Sequence, residues 1–250
     1  MPAPMIPGAE PESIEGGPHG ALVVHGFTGN PASMRGVAHA LAAAGFAVEL
    51  PLLPGHGTAV EDMLDTTWAD WSGAAEDAYQ RLRARVDGEV VIVGLSMGGA
   101  ITCWLAGDHP DLAGIVAINA IVSEPAGIRD LVEALVAEGH TVMDGIGSDI
   151  ADPEVKESAY PQTPLQPLLS MAEAANELKD RLARISCPVL ILNSPQDHVV
   201  PPENSDILAS SVAGPVERVT LERSYHVATL DYDRELIEKS VVDFALRVTS

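Results

Sequence analysis

The chain has 250 residues, 46% of them hydrophobic, so it can bury one large core but is too short for two full-sized domains. Its formal net charge of −22 argues against nucleic acid as a partner and against stable anchoring on anionic membranes. Residues 1–18 lack the basic and apolar regions of a secretory signal. Cys103 and Cys187 fall in apolar segments where we expect buried thiols, with a disulfide between them as the alternative, so we predict a cytoplasmic protein.

Apolar runs alternate with helical periodicities along most of the chain. The runs that predict strands are 21–24, 46–50, 90–93, 115–118, 189–192 and 216–221. The segments that predict helices are 34–44, Trp68 to Leu82, the stretch after residue 96, the stretch through Leu178 and Leu182, 202–211, and a last one carrying Phe244. Strands that alternate with helices indicate parallel βαβ units, so we expect an α/β fold with a mostly parallel sheet covered by helices on both faces.

The alternation stops between residues 120 and 167. We expect no strand there and one amphipathic helix, because apolar residues recur at helical spacing from Ile128 to Val136. The chain is therefore predicted to be a single domain, 1–250, with 120–167 as a small cap over the edge of the sheet where ligands bind in open α/β folds. An ordinary surface excursion is the alternative for this insertion.

A strand, a sharp turn and a helix meet at Gly94-Leu95-Ser96-Met97-Gly98. This G-x-S-x-G pattern in that context is typical of a nucleophile elbow, in which a serine sits on a strained turn and the nearby glycines avoid a clash. The helix that begins behind Ser96 adds its positive N-terminal end below any anion formed there. A structural Gly-Ser turn is the alternative interpretation.

A serine hydroxyl needs a base to take its proton and an acid to orient that base. The chain order of such triads in α/β-hydrolases is serine, acid, histidine, on loops after successive strands. Ser96, Asp197 and His226 follow the strands at 90–93, 189–192 and 216–221, so we predict that these three form the catalytic triad.

Other histidines and acids compete for these roles. His198 neighbours Asp197 and is the alternative base, whereas the earlier His25, His56, His109 and His140 are expected to be turn or pocket residues. Asp231 and Asp233 precede the final helix, where we expect them to cap it or complement its dipole.

An oxyanion formed at Ser96 needs two hydrogen-bond donors. We predict the backbone N–H groups of Met97 and of Phe27, which lies in the glycine-rich loop after the first strand. The alternative for Phe27 is a plain core residue. No His, Cys and Asp cluster has metal-ligand spacing, so we expect no metal and no other cofactor.

Four segments resemble bacterial monoacylglycerol lipases and their carboxylesterase relatives in the α/β-hydrolase superfamily. They are His25-Gly26-Phe27-Thr28-Gly29, the elbow with Gly99, residues 197–202 and residues 224–231. The insertion is also similar, at 146–149, at 155–160 and at Thr163-Pro164. The resemblance implies an α/β-hydrolase fold with a small cap, a metal-free triad and hydrolysis of the fatty-acyl ester of a monoacylglycerol. It also implies that Glu157 faces the glycerol end of the substrate, with Ile146 beside it.

Several functions remain open at this stage. A general short- to medium-chain carboxylesterase is the alternative within the same fold, and an acyltransferase would differ only in whether an alcohol or water reaches the acyl-enzyme. A binding protein on the same fold would have no need of an activated serine. The sequence predicts a small lipid ester as partner and leaves acyl-chain preference and oligomeric state undetermined.

Overall fold

A seven-stranded sheet forms the centre of the computed structural model, which describes residues 3–250. Met1 and Pro2, part of the predicted domain 1–250, lie outside the described residues. The strands are β1 (Glu12–Ile14), β2 (Gly20–Val24), β3 (Ala47–Leu50), β4 (Val90–Leu95), β5 (Gly114–Ile118), β6 (Val142–Asp144), β7 (Gln162–Pro164), β8 (Val189–Asn193) and β9 (Val216–Thr220). The main sheet has the order β1-β3-β2-β4-β5-β8-β9, and β6 pairs with β7 separately.

Helices cover both faces of this sheet, as the alternating pattern predicts. They are α1 (Arg35–Ala43), α2 (Trp68–Arg83), α3 (Met97–Ala106), α4 (Ile128–Ala137), α5 (Leu165–Leu182), α6 (Glu203–Ser211) and α7 (Arg234–Val248). One apolar core joins one sheet face to α1 and α7, and a second joins the other face to α2, α3, α5 and α6. Strands β2, β4, β5 and β8 are buried along their whole length, which explains their continuous β-branched and aliphatic runs.

Six strands of the main sheet are parallel neighbours, and the predicted α/β fold class is confirmed. Strand β1 is the exception: it pairs antiparallel with β3, with Glu12 opposite Leu50. This edge strand of three residues was not predicted. Cys103 and Cys187 are free and buried, as expected. None of the helices within residues 3–250 is long and apolar enough to cross a bilayer.

The expectation that residues 120–167 hold no strand is wrong. Helix α4 forms as predicted, but β6 and β7 make a short antiparallel ladder, with Met143 opposite Thr163. Each strand has three residues and β7 ends in a proline, so neither carries a recognisable local pattern. Helix α5 also begins earlier than expected, at Leu165, and packs against α4.

Candidate active site

Ser96 stands on a strained turn between β4 and α3. Its φ is 57° and its ψ is −117°, a backbone conformation that residues with a side chain rarely adopt. A Cβ on Gly94 would lie 2.1 Å from the carbonyl oxygen of Gly98, and one on Gly98 would lie 2.2 Å from that of Val24. Both positions therefore require glycine. The backbone segments approach each other as closely as a nucleophile elbow requires.

Asp197 and His226 are brought together from the loops after β8 and β9. His226 Nδ1 lies 2.7 Å from Asp197 Oδ2. Asp197 Oδ1 accepts hydrogen bonds from the backbone N–H groups of Val199 and Val200, both at 2.8 Å. These bonds orient the carboxylate, so Oδ2 is left to bind a histidine proton and fix its tautomer.

Ser96 and His226 both line a cavity of about 190 Å³ beneath the cap. A Cβ on Gly26 would lie 3.4 Å from the Ser96 Cβ, so the loop that carries Phe27 reaches this turn. Among the backbone hydrogen bonds of residues 3–250 outside regular helices and strands, none has the N–H of Phe27 or Met97 as its donor. Two free donors beside a strained serine are what an oxyanion requires. Phe27 itself is partly buried and packs edge-on against Trp71, so its side chain also belongs to the core.

Two buried histidines support the loop that carries Phe27. His25 accepts a hydrogen bond from the Leu53 N–H at Nε2 and therefore donates from Nδ1 to the Gly26 carbonyl. Burial lowers the pKa of His25 to about 3 and that of His56 to about 4, and the neighbouring His56 lowers the pKa of His25 further. Both rings are neutral at physiological pH and act as structural groups, in accord with the expectation for these positions.

The walls of the cavity are mostly apolar. They come from the cap, from α5 and from the loops of the main sheet. The apolar lining residues are Phe27, Ile121, Pro125, Ile128, Met143, Ile146, Leu168, Met171, Val199, Val200 and Val227. Such a surface suits a hydrocarbon chain, because burying it there removes apolar area from water.

Glu157 is a carboxylate in this lining, beside the candidate catalytic residues. A Cβ on Gly29 would lie 2.8 Å from Glu157 Oε1, so the carboxylate rests directly on the loop that carries Phe27. Burial raises the pKa of Glu157 to about 7, although the nearby His226 lowers it. Its backbone N–H donates to Ser148 Oγ at 2.7 Å, and its side-chain oxygens make no hydrogen bond within residues 3–250. Ile146 also lines the cavity but is 63% exposed, which puts it at the mouth.

Asn119 links the loops after β8 and β9, a role that was not predicted from the sequence. It follows β5 with φ 43°, is buried, and donates from Nδ2 to the His226 carbonyl at 2.8 Å. Its Oδ1 accepts from the Ser194 N–H at 2.8 Å. Its place at the carboxyl end of a central strand was the one available signal, since parallel strand ends share an edge.

Two aspartates join the cap to the loop that carries His226, and neither role was foreseen. The buried Asp231 accepts from the N–H groups of Ala151, Asp152 and Tyr225 at 2.7, 3.1 and 3.0 Å. Asp149 accepts from the His226 N–H at 3.0 Å.

Asp231 and Asp233 were expected to cap the final helix or to complement its dipole, and the side-chain capping is wrong. Asp233 occupies the N-cap position of α7 without making a side-chain cap bond. It binds the N–H and Nε of Arg223 instead, at 2.8 and 3.0 Å. The ring of His198, the alternative base, is largely exposed and faces Asp149 at 2.8 Å. No group of three or more His, Cys, Asp or Glu side chains within residues 3–250 could hold a metal ion.

The chain is similar to known esterases and lipases. The chain is 48% identical to a thermostable monoacylglycerol lipase of Bacillus sp. (strain H-257), over 97% of this chain and 96% of that protein. It is 27% identical to a carboxylesterase of Bacillus subtilis (strain 168), over 94% and 95% of the two chains.

Solved structures give the same result. One from work on LipS and LipT, two metagenome-derived lipolytic enzymes, superimposes with a TM-score of 0.93 at 41% identity, covering 98% of this chain and 100% of that one. A monoacylglycerol lipase of Paleococcus ferrophilus shares the fold, with a TM-score of 0.78 at 17% identity over 96% and 98% of the chains. The model of the alpha/beta hydrolase family matches residues 21–239, and the chain belongs to that family.

Proposed function

We propose that this protein hydrolyses the fatty-acyl ester of monoacylglycerols to glycerol and free fatty acid through an acyl-enzyme. Ser96 is the nucleophile, His226 is the general base, and Asp197 orients and stabilises the histidine. The backbone N–H groups of Phe27 and Met97 bind the oxyanion. The observation that carries the proposal is a mostly apolar cavity in which the carboxylate of Glu157, which makes no side-chain hydrogen bond within residues 3–250, adjoins the serine and histidine.

The chemistry follows from the roles of these groups. His226 Nε2 accepts the Ser96 proton as Oγ attacks the ester carbonyl, and the carbonyl electrons move onto the oxygen held by the two N–H groups. The tetrahedral intermediate collapses to the acyl-enzyme, and the leaving glycerol oxygen takes the proton from His226. A water molecule, deprotonated by the same histidine, then releases the fatty acid and restores Ser96.

Glu157 distinguishes a monoacylglycerol from a simple ester. The head group of a monoacylglycerol carries two free hydroxyls, and Glu157 has no side-chain hydrogen bond of its own in the described chain. Hydroxyl groups of the head can donate to this carboxylate, whereas an alkyl or aryl ester cannot. A charge-assisted hydrogen bond is worth about 1.5–3 kcal/mol, so Glu157 is the main residue that recognises the head group. Ile146 packs against the head group at the mouth of the cavity.

The test compares two substrates in three variants. Glu157→Ala and Glu157→Leu should lower kcat/KM for a monoacylglycerol by roughly ten- to a hundredfold and leave p-nitrophenyl butyrate within about threefold. Glu154→Ala, which removes an exposed carboxylate from the same segment, should change neither. Equal losses on both substrates would make Glu157 a structural residue of the cap.

A general short- to medium-chain carboxylesterase is the second candidate. The exposed mouth at Ile146 favours it, because an open entrance tolerates varied alcohol groups. Unchanged activity of the Glu157 variants on both substrates would select this candidate. A panel of mono-, di- and triacylglycerols of one chain length beside alkyl esters measures the preference directly.

We also place the enzyme in the cytoplasm, acting on dispersed or micellar substrate without a stable membrane anchor. The net charge of −22 supports this, since anionic lipid headgroups repel an acidic surface. The two free buried thiols accord with a reducing compartment. Tight co-sedimentation with phosphatidylglycerol vesicles at low salt would contradict the absence of anchoring.

A further inference from the structure

One carboxylate oxygen of the cap binds both loops that carry the candidate acid and base. Asp149 Oδ2 accepts a hydrogen bond from the His226 N–H at 3.0 Å and another from the His198 N–H at 3.1 Å. His198 directly follows Asp197 in the chain. The two bonds therefore join the loop after β8 to the loop after β9, next to the contact between Asp197 and His226.

Further contacts fix the position of Asp149. Its Oδ1 lies 2.8 Å from the His198 ring at Nδ1, and its backbone carbonyl accepts from the Val227 N–H at 3.0 Å. The Asp149 side chain is only 12% exposed. Through Asp231, which accepts the N–H groups of Ala151 and Asp152, the next residues of the cap are held on the same loop.

We propose that Asp149 is a positioning residue, which holds Asp197 and His226 at hydrogen-bond distance from each other. The cap is then a structural part of the catalytic machinery as well as a wall of the substrate cavity. This inference rests on the proposed function, in which His226 is the base.

The backbone of His226 is held from two sides. Asn119 donates to its carbonyl at 2.8 Å from the sheet, and Asp149 accepts its N–H at 3.0 Å from the cap. Loss of Asp149 leaves the Asn119 bond in place but removes the acceptor of two N–H groups. The loop can then shift, and a displacement of about 1 Å at reacting groups costs on the order of a hundredfold in rate.

Asp149 also lines the substrate cavity, so a direct contact with substrate is the competing explanation. The two roles differ in their effect on a small ester. The acetyl group of p-nitrophenyl acetate does not extend to the distal walls of the cavity, and the ester has no glycerol hydroxyl. A positioning role lowers kcat for this ester, whereas a role in binding the monoacylglycerol head leaves it unchanged.

The experiment measures kcat and KM for p-nitrophenyl acetate in Asp149 variants. Asp149→Ala should lower kcat by about ten- to a hundredfold with KM changed less than about threefold. Asp149→Asn should recover most of the loss, because its amide oxygen can still accept both N–H groups. Asp152→Ala is the matched control. Asp152 Oδ1 accepts only the Glu154 N–H, within the cap, so the kcat of this variant should equal that of the parent.

A spectroscopic measurement separates positioning from a general loss of structure. The proton on His226 Nδ1, bound by Asp197, should give a downfield proton NMR signal in the parent and in Asp149→Asn. That signal should shift or broaden in Asp149→Ala. If Asp149→Ala does not fold, Asp149→Glu serves instead, since it keeps the charge but displaces the oxygens, and its kcat should fall at least about fivefold.

Three results would overturn the inference. The first is a kcat within threefold of the parent in Asp149→Ala, or in Asp149→Glu where that variant replaces it. The second is an Asp149→Asn variant as impaired as Asp149→Ala. The third is a downfield signal that is the same in Asp149→Ala, or in its replacement, as in the parent. Ser96→Ala, assayed in parallel, distinguishes the two levels of the account. If it keeps the activity of the parent, the proposed function fails; if it is inactive while Asp149→Ala is not impaired, only the positioning role fails.

Discussion

The ionisation of Glu157 should control the preference for monoacylglycerol over a simple ester. Burial raises the pKa of this side chain to about 7, so the group changes from acid to carboxylate across the neutral range. A hydrogen bond to a charged acceptor is worth about 1.5–3 kcal/mol and one to a neutral group about 0.5–1.5 kcal/mol. The difference of about 1–1.5 kcal/mol corresponds to a five- to tenfold change in kcat/KM.

The assay is the ratio of kcat/KM for a monoacylglycerol to that for p-nitrophenyl butyrate, measured from about pH 5.5 to pH 8.5. Both reactions use the same general base, so the pH dependence of that base cancels in the ratio and the ionisation of Glu157 remains. The ratio should rise about five- to tenfold with a midpoint near pH 7. In Glu157→Gln, which cannot ionise, it should be flat, and in Glu154→Gln it should rise as in the parent. A flat ratio in the parent, or a rise that persists in Glu157→Gln, would refute this reasoning.

Three further predictions follow from the geometry of the site and its support. Asp197→Asn and His226→Ala should each lower kcat by roughly 10³ to 10⁶ with the far-ultraviolet circular dichroism unchanged; activity of Asp197→Asn within threefold of the parent would exclude that acid. Gly98→Ala should lower the free energy of unfolding in urea by at least about 1–3 kcal/mol and lower kcat at least a hundredfold. The added Cβ would lie 2.2 Å from the Val24 carbonyl oxygen and would displace the oxyanion loop. Normal stability and activity in this variant would contradict the close packing at Gly98. The pKa values of His25 and His56 in the folded chain, about 3 and about 4, lie below the unfolded value of 6.5, so the unfolded chain binds protons first. The free energy of unfolding should therefore fall as the pH drops below about 6.5, by roughly 2–3 kcal/mol per histidine at pH 4.5. In urea unfolding, His56→Phe should show a shallower decline with falling pH, and an equal slope in parent and variant would contradict the burial of His56.

The sheet was predictable where its strands are buried on both faces. The runs at 21–24, 90–93 and 115–118 carry a strong local signal, because a doubly buried strand needs apolar residues at every position. Strands β1, β6 and β7 each have three residues and form through partners distant in the chain, such as Glu12 opposite Leu50. No local pattern encodes such pairings, which is why the cap was expected to lack strands.

In the candidate active site, too, some residues carry a local sequence signal and others do not. Ser96, Asp197 and His226 could be predicted as a triad because each follows a recognisable strand, and His226 Nδ1 lies 2.7 Å from Asp197 Oδ2. Asn119 also follows a recognisable strand, but an asparagine there fits no role in a triad, and Asp149 follows no strand that the sequence predicts. Their partners are backbone groups of other loops, which meet only after the cap and the sheet edge have folded together. The charge of an aspartate in a sequence does not reveal whether it caps a helix or joins two loops.

Covalent labelling tests the assignment of Ser96 as the nucleophile. A fluorophosphonate reagent phosphonylates an activated serine hydroxyl, and intact-mass spectrometry counts the adducts. We predict one adduct per chain, located by peptide mapping on Ser96, with loss of esterase activity in proportion to labelling and no adduct in Ser96→Ala. An adduct on another residue, or a Ser96→Ala variant that still hydrolyses monoacylglycerol at the rate of the parent, would contradict the account.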